Sequence, residues 1–152
     1  MLLPFSAQTV VAQDEETEWA EDGRHRIGVF AGATFADSEV GPSIGLDYQY
    51  RLDRIFGIGG GVEYTGADFR EGIIVATAYW RPWSSEPWKD VTVYASAGTD
   101  LQPADKTRSF LIRIGAEYGF ALSNGYEIAP AFNIDFTDEV AYVIGAALIK
   151  AF

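Results

Sequence analysis

The chain has no cysteine, one histidine and one methionine among its 152 residues. Without cysteine there are no disulfides, thiolate metal sites or cysteine nucleophiles, though this says little about compartment. The lone His25 lies between Arg24 and Arg26, beside no evident serine and aspartate partners, which leaves a hydrolytic triad without its base. Metal-ligand spacing is missing for the same reason, and the carboxylates are dispersed, so neither a metal nor any other cofactor is expected. No stretch approaches the roughly 20 consecutive apolar residues of a membrane-spanning helix, and 16 glycines sit badly in long helices. A helical membrane protein is excluded. Bases are scarce too: 11 Lys and Arg stand against 22 Asp and Glu, a net charge of -11 that argues against nucleic acid as a partner. Six of those acids, Asp14, Glu15, Glu16, Glu18, Glu21 and Asp22, are consecutive charges with no base among them, which reads as an acidic solvated tail over 13–24.

What is present is apolar and aromatic: 48% of residues are hydrophobic and 14% aromatic, ample for one folded domain. Before the acidic tail, Val10 and Ala12 form a V-x-A cleavage site ahead of Gln13, so 1–12 resembles the back half of a secretory signal peptide without its basic n-region. An ordinary N-terminal tail is the alternative. From residue 25 onward, eight segments show the two-residue period of strands with unlike faces. The clearest sets Ile44, Leu46, Tyr48, Tyr50 and Leu52 against Gly45, Asp47, Gln49 and Arg51. Two others repeat it, Phe110 to Phe120 around Arg113, Gly115 and Glu117, and Tyr126 to Phe136 around Glu127, Asn133 and Asp135. Weaker segments cover 27–35, 56–65, 73–83, 91–99 and 141–152, the third of these phased with Arg81 inside and Trp80 outside. Hydrophilic turns separate them, as at Asp53-Arg54 and Ser123-Asn124-Gly125. Pro130 predicts a local bulge or a missing hydrogen bond. The glycines at 57 and 59–61 read as close strand packing, not as a phosphate loop.

An even number of strands with short turns predicts an all-β, eight-stranded antiparallel up-and-down barrel over 25–152. Its polarity follows from size. Eight strands enclose a narrow interior that could hardly hold the large apolar residues of every strand, whereas the opposite faces are rich in Gly, Ala, Ser and Thr with interspersed charge. The apolar faces therefore point outward to lipid. With strand direction alternated from a periplasmic N-terminus, Tyr48, Tyr50, Phe56, Trp80, Trp83, Trp88, Phe120, Tyr126 and Phe152 fall near one rim. Phe35, Tyr64, Phe69, Phe110, Phe136 and Tyr142 fall near the other, which is the two-belt pattern of a membrane barrel.

The last segment alternates Tyr142, Ile144, Ala146, Leu148, Lys150 and Phe152 against an uncharged face, and the chain ends on Phe152. In this it resembles the eight-stranded outer-membrane proteins of the OmpX, OmpA-transmembrane-domain and opacity-protein type. The resemblance is one of pattern over about residues 25–152. It implies residence in a bacterial outer membrane among its lipids, with Tyr142, Ile144, Ala146, Leu148 and Phe152 as an address read by the barrel-assembly machinery. Lys150 departs from the family's usual aromatic and is expected to snorkel from the rim. Lipid A deacylases of similar size use a late-strand histidine, which this chain lacks.

The inward list comprises Asp47, Arg51, Glu63, Arg81, Tyr94, Arg113, Glu117, Glu127, Asn133 and Asp135. In a narrow low-dielectric space these must pair. Arg113 with Glu117 or Glu63, and Arg81 with a carboxylate on a neighbouring strand, are the expected pairs, and the polar residues are expected mainly from the second, third, sixth and seventh strands. The outward loops are short and acidic, so adhesin-like reach is unsupported. The resulting expectation is a non-enzymatic outer-membrane barrel with a structural or interaction role and a plugged lumen. A narrow channel for ions or small solutes, and a soluble lipocalin-like ligand-binding barrel, are the alternatives.

Overall fold

Alternation of side chains across a strand makes two faces, and closure of the sheet turns those faces into an inside and an outside. In the computed structural model, which describes residues 23–37, 39–67, 69–83, 85, 87–101 and 109–152, the chain forms β1 (His25–Ala36), β2 (Glu39–Arg51), β3 (Phe56–Thr65), β4 (Glu71–Trp80), β5 (Val91–Leu101), β6 (Phe110–Tyr118), β7 (Phe120–Ala121), β8 (Tyr126–Phe136) and β9 (Val140–Ala151). The cleavage site and acidic segment lie outside the described residues, as do Asp68, Asp105, Lys106 and Arg108 of the loops.

From β1 to β6 each strand pairs antiparallel with the next, β6 and β7 both pair with β8, and β9 pairs with β8 and β1. The wall is therefore closed, with β6 and β7 forming one stave of eight. The interruption between them lies opposite Pro130. The ladder is paired at Glu117 and Ala131, resumes at Phe120 and Ile128, and keeps one alignment throughout. On its other side Pro130 pairs with Ala146 in an unbroken register. Of the bulge or missing hydrogen bond expected at Pro130, the register shows no bulge, because a missing N–H removes a rung without inserting a residue. β4 ends at Trp80 and not at residue 83, since Pro82 has no donor to continue the ladder.

Following paired residues round the wall from His25 leads through Tyr50, Ile58, Ala78, Ala95, Ile114, Ile134 and Tyr142 to Phe35, ten residues further along β1. With eight staves, a rise of ~3.3 Å per residue and a strand spacing of ~4.8 Å, that stagger tilts the strands by about 41° on a cylinder of about 8 Å radius. Such an interior is wide enough for side chains and little else.

The wall is polar within and apolar without. Arg26, Gln49, Thr77, Ser96, Arg113, Glu117, Asn133 and Asp135 are buried, while Ile44, Leu46, Ile58, Val62, Ile114, Ile144 and Leu148 are exposed. A soluble lipocalin-like barrel would have the reverse arrangement, so that alternative is overturned. Phe30 is an inward exception. Its ring lies over Gly32 and Gly145, where a Cβ would overlap it. At the seam, His25 N donates to Phe152 O (3.1 Å), Phe152 N donates to His25 O (2.9 Å), and the two rings stack with centroids 5.7 Å apart.

Candidate functional site in the lumen and at the rims

Arg113 on β6 points inward beside its cross-strand partner Asp135 on β8. Its Nε and Nη2 donate to the two Asp135 oxygens at 2.6 and 2.7 Å, a bidentate fork, and Nη1 reaches across the lumen to Glu63 on β3 at 2.7 Å. Nearer the rim where the chain enters and ends, Arg26 forms a second hub, only 1% exposed. It donates to Gln49 on β2 (2.9 Å) and Glu127 on β8 (2.6 Å), with a Glu117 oxygen on β6 at 3.7 Å. Each guanidinium thus ties together three or four staves.

Between the hubs, Tyr94 donates to the Asn133 side-chain oxygen at 2.5 Å, and Tyr79 packs on the Tyr94 ring with centroids 5.7 Å apart. Gly115 sits between Tyr94 and Asn133 in the ladder, and a Cβ there would overlap both. Hydroxyl chains complete the lining: Thr34 with Ser43 (2.6 Å), Ser43 with Thr65 (3.0 Å), and Thr77 with Ser96 (2.8 Å). A cavity of about 80 Å³ remains, lined by Phe30, Asp47, Glu63, Tyr79, Tyr94, Glu117 and Asn133 among others. That is room for a few waters. Glu63 Oε1 and Glu117 Oε1, on residues lining it, have no hydrogen-bond partner in the protein, which is where buried water is usually held.

Arg51 and Arg81 line a cavity of about 10 Å³ under the turn at 52–55. Of the expected pairings, Arg113 with Glu63 is present, whereas Arg113 with Glu117 and Arg81 with a carboxylate are not. Arg113 takes Glu63 and Asp135 but not Glu117, because Glu117 lies four residues along β6 at the level of Arg26. Arg81 Nε donates to the Thr92 hydroxyl at 2.8 Å, and no carboxylate among the described residues forms an ion pair with it. The β4–β5 register, continued one step past Trp80 and Val93, places Arg81 opposite Thr92, so its neighbour on β5 is a hydroxyl and not a carboxylate. Arg26 on β1 was missed as a hub, as were Gln49, Tyr79 and Thr92. Extending the alternation one residue before Ile27 puts Arg26 inside, so the signal for it was available.

On the outside, Tyr48, Trp80, Trp83, Trp88, Phe120, Tyr126 and Phe152 are exposed at the terminal rim, with Tyr50 half-buried beside His25. His25 Nδ1 is 2.7 Å from the Tyr48 hydroxyl. Phe35, Tyr64, Phe110, Phe136 and Tyr142 are exposed towards the opposite rim. Phe132 departs from the two belts, facing outward from mid-strand and stacking on Tyr142 with centroids 6.3 Å apart. Along β9, Tyr142, Ile144 and Leu148 are exposed, Ala146 and Lys150 half-buried on the same face. The Lys150 amine donates to Asn124 O and lies 4.5 Å from the Tyr126 ring centroid. The opposite rim opens into a bowl of about 490 Å³ lined by Asp37, Glu39, Glu71, Asp100, Asp138 and Glu139. Among the described residues no group of His, Asp or Glu is arranged to hold a metal ion.

A closed wall with its apolar residues outside matches known structures. Neisserial surface protein A superposes with a TM-score of 0.59 at 10% identity, covering 84% of this chain and 96% of that one. The fold is that of an eight-stranded transmembrane β-barrel. The Ail attachment invasion locus protein of Yersinia pestis gives a TM-score of 0.51 at 15% identity, over 82% of this chain and 95% of its own. A de novo designed transmembrane β-barrel gives 0.54 at 14% identity, over 82% and 94%. A designed barrel matching alongside natural ones shows that the likeness is architectural, and it assigns this transmembrane barrel no activity. No family model and no curated protein matches the sequence.

Proposed function

We propose that this is an integral, non-enzymatic protein of the bacterial outer membrane, with a structural or interaction role and a lumen sealed by its own side chains. The observation that carries the seal is the pair of guanidinium hubs. Arg26 on β1 bonds to β2 and β8, and Arg113 on β6 bonds to β8 and, three staves away, to β3, so polar groups bonded to one another span the narrow interior at two levels. The cavity between them is too small for a solute larger than a few waters. Supporting a non-catalytic role, His25 is engaged at the rim by Tyr48 and Phe152. Membrane residence is supported by the exposed aliphatic band, and the outward residues of β9 ending at Phe152 suit recognition by the barrel-assembly machinery.

Single-channel recording in planar bilayers tests the seal. The refolded full chain should show no steady conductance steps, and a reproducible open level would replace the sealed barrel with a narrow channel.

A further inference from the structure

The cavity of about 80 Å³ inside the barrel is bordered by both hubs: Glu63, bonded to Arg113, and Glu117, beside Arg26, line it together with Asp47, Tyr94 and Asn133. The two glutamate side chains are only 8% and 7% exposed. Glu63 Oε2 accepts from Arg113 at 2.7 Å, but its Oε1 has no hydrogen-bond partner in the protein. Glu117 Oε1 stands 3.7 Å from Arg26 Nη1, within ion-pair range but beyond a hydrogen bond, and has none either. The other hub carboxylates differ. Both Asp135 oxygens are taken by Arg113, and Glu127 Oε1 is taken by Arg26.

We propose that this cavity is an internal water site, and that its water cluster hydrogen-bonds Glu63 Oε1 and Glu117 Oε1 and so joins the two hubs into one plug. The inference deepens the sealed-lumen reading and rests on it. Cavities that stay dry have apolar walls, whereas a carboxylate oxygen buried without a donor bears its whole desolvation penalty. At ~15 Å³ per water the space takes up to about five. That suffices to bridge two side chains that stand at different heights, and a bridging water is nearly as good as a direct bond. A cation would also be drawn to these oxygens, but among the described residues no acidic group is arranged to hold one.

The test is nuclear magnetic resonance on the full chain refolded into lipid nanodiscs, with isoleucine and valine methyls labelled. Ile73 and Val75 line the cavity, whereas Val143 and Ile149 are buried away from it. Overhauser transfer with the sign of long-lived water should reach the first pair and spare the second. It should be lost in Glu63→Leu/Glu117→Leu and kept in Glu63→Gln/Glu117→Gln, whose amides still bond water. Denaturant unfolding of the leucine variants reads the bridge itself. With shared water, the double variant's unfolding constant changes at least about threefold less than the product of the two single changes. Repulsion between the carboxylates alone would make it change more. Absence of transfer at Ile73 and Val75 in the folded wild type overturns the proposal. So does transfer that survives both leucines, equal transfer at Val143 and Ile149, or a double variant at or beyond the product of the singles. If the leucine variants do not fold, the wild-type and glutamine patterns decide. Rapidly exchanging water with steady conductance steps would mean that the sealed reading has failed too, whereas no water and no conductance sinks the water site alone.

Discussion

Arg113 and Ile114 are neighbours on β6, yet they live in different solvents. Arg113 is 7% exposed and bonded to three carboxylate oxygens at 2.6–2.7 Å, whereas Ile114 is 54% exposed on the outer wall. Inside, directional bonds specify each partner, and a lost partner leaves a buried charge. Outside, hydrocarbon accepts any side chain that is apolar. The lumen should therefore be intolerant in detail and the outer face intolerant only of charge.

The strongest way to break this contrast is Arg113→Ala, which strands Asp135 and Glu63. We expect a loss of about 3–5 kcal/mol in denaturant unfolding from lipid vesicles. A loss below about 1 kcal/mol would mean that the hub does not hold the barrel. Next, Ile114→Arg places a charge on the lipid face and should cost about 2–4 kcal/mol if the residue lies at the bilayer midplane, less towards an interface. Folding in detergent micelles should suffer less than folding in bilayers. Gly115→Ala probes packing inside: its Cβ would meet Tyr94 and Asn133, and we expect a loss of about 1–3 kcal/mol. A double-mutant cycle with Tyr94→Ser should recover part of it, and strict additivity would show that the overlap is relieved elsewhere. Smallest of all, Leu148→Ile on the outer face should change stability by less than about 0.5 kcal/mol. A cost comparable to Gly115→Ala would reveal a specific contact on that face and end the comparison.

Much of the architecture was legible because alternation reports the face on which each residue stands. Tyr48 and Asp47, or Ile114 and Arg113, could be assigned to opposite sides from the letters alone. Partner choice was not legible in the same way. Arg113 and Glu117 share a face of β6, which suggests a pair, yet at ~3.3 Å per residue they stand about 13 Å apart along the strand and bond to different staves. Phe30 was hidden for a related reason. An aromatic ring fits into the lumen because glycines stand at 32 on its own strand and at 145 on the neighbouring one, and nothing within β1 announces the second. Pro130 announced a missing rung but not that the register would survive it.

By itself, then, the sequence determined the strands, their two faces and the chemistry of each, because period-two patterning is a property of one strand and needs no partner. The tertiary structure alone decided which charges meet. That depends on the ten-residue stagger accumulated round eight staves, and a stagger exists only once β9 has closed on β1. Closure sets the height of every inward residue, and height decides whether Arg26 or Arg113 receives a given carboxylate.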